Sequence, residues 1–263
     1  MSERVGLFVA GVQKAGTTSL DAYLRLHPAL AAPSEKETHF FDDESIDWSA
    51  PPYERLHAFY PPPREGLLRF EATPITSFWP PALARIRRYN PAARIILLLR
   101  DPIARAWSHW SMEAARGAES VSFSDAITIG RRRLANAPLG PEWRDCSYVE
   151  RGFYLGQVRR ALLLFPEAQL LFLESRALLS DAAGTLARIA DFAGIAPFPS
   201  VPEIRERPNP CPGAGMSASD AAVLKALFAD DAREAVALAG IDAGHWPTLA
   251  PDGAGPAVPP GSS

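Results

Sequence analysis

Short apolar runs alternate with helical periodicities along most of this chain, and each change of period marks an element. Residues 5–10 form an unbroken apolar run of strand length, the pattern of a strand buried on both faces. Leu20, Tyr23 and Leu24 follow at helical spacing, and His27-Pro28 ends that run before a second short strand at 29–32. A third strand, 67–71, stops at Thr73-Pro74, and a helix near 80–89 ends before Asn90-Pro91. Residues 95–99 make the clearest strand of all. Asp101 is then a favourable N-cap and Pro102 a favourable first helical residue, with Ile103, Trp107, Trp110 and Ala114 on one face. From Gly117 to Cys146 the pattern dissolves into serines, prolines, Trp143 and an Arg131-Arg132-Arg133 run. Order returns with Tyr154, Val158, Ala161 and Phe165 on a helical face, a strand at 170–173, and a helix carrying Leu186, Ile189 and Ala190. A last helix places Leu224, Leu227, Phe228, Ala235 and Leu238 on one side and stops at Gly240, with Trp246 packing back on the body.

Strands alternating with helices predict an α/β fold: a parallel β-sheet with right-handed crossovers and helices on both faces. Residues 45–65, rich in Pro, Trp and Tyr with a short helix at 53–60, read as a lobe laid over that core. The expected organisation is one domain over 1–246, followed by a disordered Pro-, Gly-, Ala- and Ser-rich tail at 247–263.

Composition narrows this only in part. The chain has 263 residues, 47% of them hydrophobic, and a formal charge of −3, which argues against a general nucleic-acid binder. Cys146 and Cys211 fit no metal or redox spacing and read as thiols. No apolar run approaches the ~20 residues of a membrane span. The first strand begins so near Met1 that a signal peptide has no room, so a cytoplasmic location is expected; the oligomeric state stays open.

The candidate chemistry begins at Gly11-Val12-Gln13-Lys14-Ala15-Gly16-Thr17-Thr18-Ser19, a glycine-bounded turn between strand and helix. Such a turn converges backbone N–H groups and a helix N-terminus on a phosphate. Gly11 and Gly16 fit the glycines of G-x-x-x-x-G-K-[ST], but Thr17 stands where the lysine belongs and the lysine is Lys14, inside the loop. That departure weakens a nucleoside-triphosphatase reading, while Asp101 after a hydrophobic strand keeps it open. Arg100 sits at the carboxyl end of its strand, where open α/β sheets place ligands. Glu35, Lys36, Glu37 and His39 beside Phe40 and Phe41 are, by composition, a solvated charged loop with an aromatic anchor. The arginine run reads as a solvated helix face, with an acidic acceptor as the sharper alternative.

Four stretches in this order resemble the sulfotransferases that use 3′-phosphoadenosine 5′-phosphosulfate (PAPS). Residues 11–20 resemble the 5′-phosphosulfate loop, and Lys36-Glu37-Thr38-His39-Phe40-Phe41 is similar to the acceptor-side motif of the carbohydrate, heparan-sulfate-type branch. Arg100-Asp101-Pro102 with Ala106-Trp107-Ser108-His109 resembles the 3′-phosphate segment, and 148–165 with Arg151-Gly152 resembles a stretch of bacterial members. Met216-Ser217, the helix after it and Trp246 match more loosely. The resemblance implies the P-loop-like sulfotransferase fold and sulfuryl transfer to a carbohydrate, glycosylated or other small-metabolite acceptor, with PAPS as co-substrate and no metal. It implies catalytic roles for Lys14, at the leaving oxygen, for Glu37, as base, and for His39, as its neighbour. Donor binding falls to Lys14, Ala15, Gly16, Thr17, Thr18, Ser19, Arg100 and Ser108, with Arg207 as a candidate from the Pro-rich loop. Two departures bear on the acceptor. Ala72 stands where heparan-sulfate relatives often carry a lysine, and the basic glycine-containing closing loop is not evident. The competing readings are a degenerate P-loop kinase or NTPase and a non-catalytic nucleotide-binding scaffold.

Overall fold

The apolar runs form five strands in the computed structural model, which describes residues 4–135, 137–204 and 215–251. They are β1 (Leu7–Gly11), β2 (Leu30–Ala31), β3 (Leu68–Glu71), β4 (Arg94–Leu99) and β5 (Leu170–Glu174). All pair in parallel, in the order β2-β3-β1-β4-β5. In chain order the helices begin with α1 (Thr17–Arg25), α2 (Tyr53–His57), α3 (Ala82–Tyr89), α4 (Pro102–Arg116), α5 (Phe123–Ile127) and α6 (Arg132–Ala135). They continue with α7 (Pro141–Asp145), α8 (Leu155–Leu164), α9 (Ser175–Ser180), α10 (Ala182–Ala193) and α11 (Ala218–Ala239). Among the described residues no helix is long and apolar enough to cross a membrane. The chain divides into two compact units, Met1–Arg100 with Gly156–Pro208, and Asp101–Leu155 with Asn209–Ser263.

The first unit holds the whole sheet. Every residue of β1 is buried, and Ile95 to Leu99 of β4 are 0% exposed, as expected where helices cover both faces. From β1 the chain crosses to the edge strand β2, returns to β3 beside β1, and then builds outward on the other side through β4 and β5. The order therefore reverses beside β1, and the crevice at the carboxyl ends of β1 and β4 is the switch point where such sheets bind ligands. The lobe at 45–65 is seated by buried Ile46, Leu56 and Tyr60, whose hydroxyl donates to the Phe70 carbonyl at 2.9 Å. Helix α9 goes beyond the sequence reading. With one buried residue, Leu178, it has no periodic signature, and it is started by Glu174 accepting from the Arg176 and Ala177 N–H groups.

The second unit is helical. Ile103, Ala106 and Trp110 of α4 pack with Phe123, Ala126, Ile127, Tyr148, Val149, Leu224 and Phe228. Gly152 is required at its place, since a Cβ there would come within 2.5 Å of the Phe228 ring. Arg151 is buried and donates to the Trp143 and Arg144 carbonyls and the Ser147 hydroxyl; burial, with Arg105 adding to it, lowers its pKa to about 9. The Arg151-Gly152 stretch thus serves packing. Helices α5, α6 and α7 occupy the segment without legible pattern, each too short to show a period. On α11 the buried face is Leu224, Phe228, Ala232 and Ala235; Leu238, expected on it, lies in the last turn and is 46% exposed. Asp101 caps α4 as expected, its Oδ1 accepting from the Ala104 N–H at 2.9 Å. Its Oδ2 accepts from the Thr248 N–H at 3.0 Å and the Thr248 hydroxyl at 2.7 Å. Residues 247–249, assigned to the tail by composition, are therefore a 3-10 turn (Pro247–Leu249) with Thr248 fully buried.

Candidate active site

The loop after β1 enters α1 through Gly16, whose φ of 86° places it in the left-handed region that only glycine adopts without strain. No side chain caps α1, so no capping side chain of the chain takes up its first N–H groups. Thr18 is exposed, while Ala15, Thr17 and Ser19 are buried beneath it. Lys14 also has a positive φ, 72°. Arg100, directly after β4, donates from Nη1 to the Lys14 carbonyl at 2.6 Å and so braces the loop from the neighbouring strand. Lys14 to Ser19 and Arg100 thus assemble at the switch point of the first unit. Ser108 lies half-buried on α4, in the second unit. Arg207 and Cys211 lie outside the described residues.

The acceptor-side loop belongs to the first unit as well. Phe40 and Phe41 are buried and pack edge-on at 5.3 Å, anchoring the charged residues before them. Glu37 has φ 60° and His39 φ 51°. Among the described residues, Lys14, Glu37 and His39 are the positive-φ residues other than glycine. Such conformations cost on the order of 1–3 kcal/mol each and cluster at functional sites. Lys36 Nζ bonds to Glu37 Oε1, and Glu37 Oε2 lies 3.6 Å from His39 Nε2. His39 Nδ1 lies 2.8 Å from Oδ2 of Asp42, which is fully buried. Asp42 thereby turns the other ring nitrogen toward Glu37.

Behind the loop stands Glu71, at the end of β3. Its Oε1 accepts from the Thr38 N–H at 3.3 Å, the Thr38 hydroxyl at 3.2 Å and the Thr73 hydroxyl. Burial pushes its pKa up to about 7; Asp42 raises it further, and the Thr73 and Thr38 bonds oppose both. Asp42 and Glu71 escaped the sequence reading. Asp42 carried one usable signal, an acid three residues after a histidine, whereas Glu71 stood in the segment Glu71-Ala72-Thr73-Pro74 that was set against the family for its missing lysine alone. Asp101, the candidate metal ligand of the triphosphatase reading, has both oxygens engaged by the chain's own donors.

A parallel sheet with a glycine-bounded phosphate loop after its central strand defines a P-loop-like α/β protein. The family model of the sulfotransferase domain matches residues 6–206, and the chain belongs to the sulfotransferase family. It is 32% identical over 190 residues to human heparan sulfate glucosamine 3-O-sulfotransferase 3B1, covering 71% of this chain and 45% of that protein. It is 30% identical to mouse heparan sulfate glucosamine 3-O-sulfotransferase 6, covering 71% and 51% respectively. The chain thus spans about half the length of these relatives. A sulfotransferase from Alicyclobacillus acidocaldarius has a similar structure, with TM-score 0.76 and 26% identity, covering 92% of this chain and 98% of that one.

Proposed function

We propose that the protein transfers the sulfuryl group of PAPS to a hydroxyl or amine of a carbohydrate, glycosylated or other small-metabolite acceptor, releasing adenosine 3′,5′-bisphosphate (PAP). The observation that carries this reading is that the three strained residues, Lys14, Glu37 and His39, are the ones the family motifs mark for catalysis. Glu37 takes the acceptor's proton as the acceptor atom bonds to sulfur and the sulfur–oxygen bond to the phosphate breaks. Positioned bases of this kind contribute about 10²–10⁴-fold. The electron pair stays on the former bridging oxygen, whose charge Lys14 and the α1 N-terminus meet. His39, held by Asp42, orients Glu37 or touches the acceptor. By the resemblance, Arg100 and Ser108 are the residues for the 3′-phosphate, and Arg207, outside the described residues, stays a candidate. The reading treats residues 1–246 as one sulfotransferase domain, which the match over 6–206, running through segments of both units, supports. The likeness to heparan sulfate glucosamine 3-O-sulfotransferases favours a sugar hydroxyl, while Ala72 removes one cation that a polyanionic acceptor would meet.

Calorimetry with PAP and AMP tests the donor assignment. A charge-assisted contact to a buried phosphate is worth about 1.5–3 kcal/mol, so AMP should bind at least about tenfold more weakly. Arg100→Ala should remove most of that difference. Equal affinities for PAP and AMP in the unmutated protein would rule the assignment out.

A further inference from the structure

Glu71 has no part in the chemistry above, yet it holds the middle of the acceptor-side loop. The groups that weigh most on its ionisation are two threonines and Asp42, with no cation among them. A buried carboxylate without a counter-ion is less favourable than an amide or an apolar side chain of the same shape. What it does hold is specific. Its Oε1 accepts from the N–H of the peptide joining Glu37 to Thr38, and from the Thr38 hydroxyl. Thr38 is the residue between the two left-handed ones, Glu37 at φ 60° and His39 at φ 51°. A loop so strained keeps its shape only where its surroundings over-determine it. On the His39 side that tether is Asp42; on the Glu37 side it is Glu71.

We infer that Glu71 is a positioning residue of the transfer reaction: acting through Thr38, it holds the loop in the backbone conformation that presents Glu37 to the acceptor. This rests on the reading of Glu37 as the base. Neither Thr38 nor Glu71 is among the residues assigned to the donor, so loss of the tether should lower turnover and leave nucleotide affinity alone. A carboxamide at position 71 still offers an oxygen to the Thr38 N–H; an isobutyl group does not.

The test uses the full chain with Glu71→Leu, Glu71→Gln, Thr38→Val and Glu37→Gln. PAPS-to-PAP turnover is followed with a glucosamine-containing oligosaccharide and with water as sole acceptor, and PAP affinity is measured by calorimetry. Glu71→Leu should lose about 10- to 100-fold in kcat, the usual effect of a base displaced by an ångström, with PAP affinity within about twofold of wild type. Glu71→Gln should recover most of that kcat. Should Glu71→Leu not melt cooperatively, Thr38→Val takes its place, with a loss of about 3- to 10-fold expected from removing one of the two loop donors. If Glu37→Gln is inactive while Glu71→Leu, or Thr38→Val in its place, turns over within about twofold of wild type, the inference is overturned and the base assignment stands. An active Glu37→Gln removes the base assignment and the inference together. A Glu71→Gln as impaired as Glu71→Leu overturns the tether specifically.

Discussion

A buried carboxyl that forms no ion pair among the described residues leaves a mark on stability that can be read without any substrate. Glu71 has its folded pKa raised from 4.5 to about 7 by burial first, with Asp42 adding to the shift. Below pH 4.5 the carboxyl is protonated in both folded and unfolded chains, and it carries no penalty. Between 4.5 and 7 the folded state binds the extra proton, so stability falls as pH rises; above 7 the full penalty, about 3 kcal/mol, is present. Glu71→Gln cannot titrate, so its midpoint in urea should exceed that of the wild type at pH 8. The gap should shrink toward pH 4.5, and parallel pH curves for the two proteins would contradict the assignment. Lys14 makes a second expectation at this scale. Its charge is proposed to act on the leaving oxygen, so Lys14→Ala should lower kcat by about 10²–10³-fold. Weaker PAP binding should accompany that loss, a pattern distinct from Glu37→Gln, which should leave PAP affinity nearly unchanged.

Among the elements, α4 shows how one residue can look catalytic and be architectural. Asp101 follows the most apolar strand, as a magnesium ligand would, but it caps α4 and fastens the Thr248 turn. Asp101→Ala should cost about 1–2 kcal/mol for the cap alone, and more for the Thr248 donors left buried, measured as a fall in the denaturant midpoint. Thr248→Val should cost less, because the cap survives. The same comparison shows what was legible in the sequence. Strands β1 to β5 and helices α1, α3, α4, α8, α10 and α11 announced themselves because burial on one or both faces imposes a period, and the short α2 was expected within 53–60. Helices α5, α6, α7 and α9 did not, since pieces of four to six residues complete no repeat. In the candidate site, Lys14, Glu37, His39 and Arg100 were marked by the resemblance of their stretches to family motifs. Asp42 and Glu71 were not, because their importance lies in contacts to His39 and Thr38 that only the folded backbone brings about. Leu238 was misplaced for a related reason: period alone cannot say where a buried face stops.

For the whole molecule, the proposed donor site meets its phosphates with Lys14, loop N–H groups, a helix N-terminus and Arg100. Among the described residues no group of three or more His, Cys, Asp or Glu side chains could hold a metal ion. Because Lys14, the loop N–H groups, the helix N-terminus and Arg100 are proposed to meet the donor's charge, turnover is expected to survive excess EDTA, and a loss of activity restored by Mg²⁺ would return Asp101 to consideration. Each of the two units is also assembled from separated stretches, the sheet from Met1–Arg100 and Gly156–Pro208. Its last strand, β5, pairs with all of Ile95 to Leu99, yet it is synthesised only after the whole of 101–155. At roughly 5–20 residues per second, the nascent chain carries the completed β4 for about 4–15 s before its partner is made. Throughout that interval a row of leucines and isoleucines presents an open edge, the kind of surface that pairs with neighbouring chains. Chaperone cover of that edge during synthesis is therefore expected to raise the soluble fraction of the protein, measured by expression with and without added chaperone.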